Sequence, residues 1–149
     1  MLPALPSFYA VQYQAAPPLL RGRVLRPLSA TEFTESCELV LGWAQHHGCP
    51  FWLLDGRLDV VHPFDVYEWL REDFLPRAHQ VLGRVPCLAF VAQPGFWLAL
   101  QARNYAPPAP VVLSAAFRAY WFTAEDEAVA WLTQFRPTIG LAYTQKKPR

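Results

Sequence analysis

Between Ser36 and Ser114 the chain has no serine and no threonine, an empty interval that spans the middle of its 149 residues. A serine hydrolase would have to draw its nucleophile from outside that interval, and no G-x-S-x-G occurs. Lysine is nearly as scarce. Lys146 and Lys147, close to the C-terminus, are the only two, so a buried Schiff-base or pyridoxal-phosphate lysine is excluded from the body of the chain. The seven glycines are scattered, and no Gly-rich phosphate loop with its Lys-Ser/Thr pair exists. Three cysteines, Cys37, Cys49 and Cys87, make an odd number without metal-type spacing. They read as reduced thiols in a cytoplasmic protein, with no metal and no cofactor implied. No apolar run approaches the roughly 18 residues of a membrane span, and MLPALPSFYA lacks the positive start of a signal peptide. A formal charge of +1 without a basic stripe argues against nucleic acid as a partner.

What remains is a chain rich in apolar side chains, 53% of it hydrophobic and 15% aromatic, enough for one domain with a proper core. Phe8 to Tyr13 (FYAVQY) and Leu19 to Arg26 (LLRGRVLR) read as two strands joined across Ala15-Ala16-Pro17-Pro18, an antiparallel hairpin. Ser29-Ala30-Thr31-Glu32 matches a capping box. The helix it opens, Ala30–His47, carries Phe33, Cys37, Val40, Leu41 and Ala44 on one stripe and stops at Gly48. Pro50 to Leu54 and Pro86 to Ala92 are short, nearly continuous apolar runs, the pattern of strands buried on both faces. Between them a helix begins at Pro63, with Pro76 expected to kink or split it.

Gly95 to Ala102 has helical composition, but Phe96, Trp97, Leu98 and Leu100 keep to no single face. After the proline-rich loop Asn104 to Pro110, Val111-Val112-Leu113 leads into FRAYWF, whose alternation is that of a strand. Thr-Ala-Glu-Asp then starts a last helix over Ala124–Phe135, with acidic residues at its positive end. The expected order is β-β-α-β-α-β-(α)-β-α: an α/β fold with one mixed sheet of about five strands flanked by helices. The domain runs over residues 8–135, between a tail of residues 1–7 and a basic tail of residues 136–149.

The opening hairpin, the strand FWLLDGR ending at Asp55 and the closing AYWFTAEDEAVAWL resemble the STAS family, in particular its SpoIIAA-like bacterial members. The resemblance covers roughly residues 8–135. It implies a mixed sheet flanked by helices and a role in partner binding in place of catalysis. Regulatory STAS domains carry a phosphorylatable Ser or Thr after the third strand, beside an acidic residue. Here Asp55 matches the acidic position, but the loop Asp55-Gly56-Arg57-Leu58-Asp59-Val60-Val61-His62 has no hydroxyl. The phosphoryl switch, and with it anti-sigma antagonism, does not carry over.

That loop is still the candidate site, because ligands of open α/β sheets bind beyond the carboxyl ends of the strands. Asp55, Arg57, Asp59 and His62 crowd such an end. Three readings stay open: the aspartates pair with Arg57 or cap loop backbone while His62 caps the following helix, the four form a ligand or partner site, or the carboxylates hold a metal or act as a catalytic pair. His46, His47 and Cys49 have the chemistry of metal ligands, but adjacent helical residues diverge, so no metal is expected there.

The surplus of aromatic residues points to an interface. Phe96, Trp97 and Tyr105 lie in the least periodic stretch, Gly95–Pro110, and are expected at a homodimer seam or against another protein. Loose packing within the core is a second reading, and a third is a pocket for an apolar or amphipathic small molecule, with Arg57 or Arg103 meeting an anionic head group. STAS-like chains are sometimes grouped with lipid-carrying domains, which keeps that alternative in view. Two functions of different class are therefore expected: a non-enzymatic interaction module, or a small-molecule binder.

Overall fold

The computed structural model describes residues 2–102, 111–113 and 116–134. A strand β1 (Tyr9–Ala15) turns tightly into β2 (Pro18–Val24), and helix α1 (Ala30–His47) leads to β3 (Phe51–Asp55). Helix α2 (Phe64–Trp69) continues through a π-helical turn over Leu70–Phe74 into α3 (Leu75–Leu82). Strand β4 (Cys87–Val91), helix α4 (Phe96–Ala102), strands β5 (Val111–Leu113) and β6 (Arg118–Phe122), and helix α5 (Glu125–Thr133) complete the order. The α/β architecture with a single mixed sheet is as the sequence predicts; Val111–Leu113 adds a three-residue edge strand, so the sheet has six.

Strand order is β1-β2-β3-β4-β6-β5. The four inner strands run parallel, and β1 and β5 close the two edges antiparallel. Parallel strands must be covered on both faces, and the helices divide accordingly. On one face α1 lies over β1 and β2 and against α3; beside it Phe74 of the π turn packs on Trp52 with ring centroids 6.3 Å apart. On the other face α5 lies over β3, β4 and β6. There Trp131 meets Tyr120 and Phe122, at 5.6 and 5.9 Å.

Local chemistry accounts for the element boundaries. Ser29 Oγ accepts from the Glu32 amide at 3.1 Å, and the Glu32 carboxylate accepts from the Ser29 amide at 3.0 Å. This reciprocal pair satisfies donors that a helix start leaves orphaned. Gly48 ends α1 at φ 63°, a left-handed conformation that glycine adopts without steric cost. Pro76 sits at the start of α3, and the turn before it widens to π spacing, the Leu75 amide reaching back five residues to the Leu70 carbonyl. A proline cannot donate to the helix ladder, and the π turn absorbs the break without ending the helix. The expected split at Pro76 is therefore a bulge.

The core lies between sheet and helices. Leu53, Leu88, Val40 and Leu132, all expected inside, are 0–1% exposed, and Phe51 is buried at 6%. Phe33 and Phe90, expected there too, are only half-buried, as is Trp131. For Phe33 and Phe90 the reason is a cavity.

Candidate functional site

Side chains alternate across a strand, so one register row of a parallel sheet points to one face. The row Leu54, Phe90 and Trp121 crosses β3, β4 and β6 near their carboxyl ends. Phe90 and Trp121 stack with centroids 4.5 Å apart and planes inclined by 19°. Above this row the helices do not close. A cavity of about 470 Å³ opens there, inside the range of small-molecule pockets. Tyr67 and Leu70 line it from the α2 side, Phe33 from α1, and Phe96 and Ala99 from α4. Tyr67 and Phe96 meet edge to face at 6.3 Å. The loops after β3 and β4 supply the remaining wall, Gly56 and Asp59 to Val61 on one side and Ala92 to Gly95 on the other.

The loop after β3 is fixed by its aspartates. Asp59 Oδ1 accepts from the amides of Leu28 and Val60, each at 2.8 Å, and Oδ2 lies 2.8 Å from His62 Nε2. Both side chains are nearly inaccessible, 8% and 3% exposed. Phe33 leans on the His62 ring at 4.9 Å, and the His62 amide donates to the Tyr67 hydroxyl at 2.9 Å. Helix α2 has Pro63 at its N-cap position and no side-chain cap, so His62 does not cap it. Among the described residues the hydrogen bonds of the Asp59–His62 pair run to each other, to backbone and to Tyr67, and none runs to a serine, threonine or cysteine.

The two remaining loop residues turn elsewhere. Asp55 accepts from the Arg57 amide and Nε at 3.0 Å and from a terminal guanidinium nitrogen at 2.7 Å. Burial favours the neutral form of the Asp55 carboxyl, but the Arg57 hydrogen bonds and charge outweigh it and hold the carboxyl below the usual carboxylate range. Arg57 also lies 3.8 Å from Glu125, which in turn is paired with Arg21. With Arg21, Arg23 and Gln12, Asp55 and Glu125 border a smaller depression of about 330 Å³ on the opposite sheet face. Its charges are largely matched within the protein.

Of the four residues expected at the site, only Asp59 borders the cavity; His62 is buried behind it, and Asp55 and Arg57 belong to the other face. Arg57 is thus not placed to meet a head group in the cavity. Of the aromatic segment, Phe96 lines the cavity; the Trp97 side chain, Arg103 and Tyr105 lie outside the described residues. Sequence reasoning missed Phe33, Phe90 and Trp121 as site residues because their periodicity is that of core positions. A periodic face tells which way a side chain points, and not whether anything covers it. Among the described residues no three His, Cys, Asp or Glu side chains come together as a metal site, and no helix is long and apolar enough to cross a membrane. Neither a protein-family model, nor a curated protein, nor a solved structure matches the chain.

Proposed function

We propose that the chain is a non-enzymatic, STAS-like binding module whose cavity takes a small apolar or amphipathic molecule. The observation that carries this reading is the stacked pair Phe90–Trp121 at the floor of a 470 Å³ opening. Two large rings on neighbouring inner strands are left only partly buried where a helix would ordinarily cover them fully. Water against such surface costs about 25 cal/mol per Å², and a ligand that displaces it recovers that free energy. The position agrees with the rule that open α/β sheets bind ligands beyond their carboxyl strand ends.

The test is native mass spectrometry of protein purified without denaturation, for wild type and for Ala99→Trp, which fills the cavity from α4. The reading predicts a discrete added mass of a small molecule on the wild type and none on the variant. Bare polypeptide mass in both, or the same added mass in both, counts against it.

A second reading, the interaction module, is favoured by exposed apolar side chains within three positions of the lining in sequence: Leu58 at 56%, Phe64 at 40% and Leu98 at 72%. Such side chains rim interfaces as well as pockets. Sedimentation at ~100 µM separates the two, since a weak interface with a micromolar Kd would be populated there. A monomer under those conditions removes the homodimer form of this reading.

A further inference from the structure

The lining of the cavity is one-sided in charge. Five aromatic side chains border it, Phe33, Tyr67, Phe90, Phe96 and Trp121, together with one ionisable carboxylate, Asp59; no arginine, lysine or histidine is among the described lining residues. The nearest guanidinium in the loop, that of Arg57, is held by Asp55 and Glu125 on the other face of the sheet. Asp59 is anchored by two backbone amides, and its second oxygen needs a donor from His62.

From this combination we infer that the ligand is an organic cation, an ammonium or quaternary ammonium group on an apolar body. The inference rests on the reading of the cavity as a small-molecule site and specifies its chemistry. Aromatic faces carry negative quadrupole charge and attract a cation within about 6 Å of the ring centre. They do so best where water is excluded, and the Asp59 carboxylate, buried in the cavity wall with its oxygens already hydrogen-bonded, adds attraction for a positive group through space. An anionic amphiphile would meet the opposite situation: electron-rich rings and a carboxylate, with no cation among the described lining residues; the adjoining Arg71 borders a separate, smaller depression. The apolar body has a place on Leu54 and Leu70, which border the same space. A fatty acid or a phosphate-bearing lipid fits this lining poorly.

Three probes with one apolar body and different heads decide it: phenylpropyl-trimethylammonium, phenylpropyl alcohol and phenylbutyrate, each titrated into the full chain by calorimetry. The ammonium is expected to bind at least tenfold more tightly than the alcohol, and the butyrate more weakly than either. Asp59→Asn removes the carboxylate charge and should bring the ammonium-to-alcohol ratio down towards one. Because Asp59 also anchors its loop, Trp121→Leu is the second variant. It keeps apolar volume but removes a ring face, and should lower the same ratio at least threefold. Equal affinity of ammonium and alcohol, or tighter binding of the butyrate, overturns the inference while leaving the cavity as a binding site. If none of the three binds, the binding reading of the cavity falls with it.

Discussion

Phe90 of β4 and Trp121 of β6 are register partners in a parallel ladder, and their rings stack 4.5 Å apart with neither fully covered. Neighbouring central strands normally give up such rings to the helix layer. Here α1 is engaged with β1 and β2, and α5 with the opposite face. The part of the layer over the carboxyl ends is left to α2 and α4, which border the opening without filling it.

The hairpin depends on a glycine for a packing reason. A Cβ built at Gly22 would stand 2.3 Å from the Tyr9 hydroxyl and 3.0 Å from a Leu54 methyl. Tyr9 is buried and cannot swing aside. Gly22→Ala should destabilise the fold by about 1–3 kcal/mol in urea denaturation, as overpacking does. Adding Tyr9→Phe removes the clashing hydroxyl, so the double variant should lose less than the sum of the two single losses. Strict additivity would show that the clash is relieved some other way.

Two tryptophans on opposite faces should differ in cost. Trp52 is fully buried, packs on Phe74 and donates its indole N–H to the Cys49 carbonyl at 2.8 Å. Trp52→Ala should cost about 3–5 kcal/mol, by cavity formation and a lost hydrogen bond. Trp131 is half-buried on α5, so Trp131→Ala should cost roughly 1–3 kcal/mol, with less apolar area to lose. Equal losses on chemical denaturation would contradict the burial described for α5.

Acid should weaken the start of α1. The Arg26 guanidinium, followed by the Ser29 amide, holds the Glu32 carboxyl down at about 2, against 4.5 for the free side chain. Between those values the unfolded chain binds more protons than the folded one, so stability rises with pH through this window and is lost as pH falls towards 2. Glu32→Gln keeps the capping geometry without the charge. The variant's denaturation midpoint should fall less than the wild type's between pH 4.5 and 2, the difference shrinking in high salt because the group is exposed.

The thiols should be silent in the native state. Cys37, Cys49 and Cys87 are all buried and unpaired with one another. Burial, with the Glu38 charge behind it, pushes the Cys37 thiol up; burial also raises Cys87 in spite of Arg118. Thiolates are the reactive form, so a disulfide reagent at neutral pH should modify fewer than one thiol per native chain and three on unfolding. Rapid labelling of the native protein would mean that the sheet opens locally.

Much of this was legible in the residues, and the part that was not has a physical reason. The capping box Ser29/Glu32 and the stop at Gly48 bounded α1 at Ala30–His47, and the apolar runs located β3 and β4. Those are local signals. Asp59 is tied to Leu28, 31 residues away in sequence, and no local pattern announces such a bond. The pairing of Asp55 with Arg57 was foreseen as one of three readings, but the division of the loop between two sheet faces follows from the strand alternation at Leu54 and Asp55. The cavity was least legible of all. It exists because α4, whose Phe96 and Leu98 share no clean face, borders the row Leu54–Phe90–Trp121 without sealing it.

The location of binding is the central claim, and a residue-resolved titration tests it most directly. Amide NMR spectra recorded while neutral N-phenyl-naphthylamine is added should shift at Leu54, Gly56, Tyr67, Phe90, Ala92 and Ala99, which border the cavity. The amides of Gln12, Arg21 and Arg23, on the opposite depression, should stay in place. Shifts concentrated at those three residues, or none anywhere at saturating probe, would contradict the account.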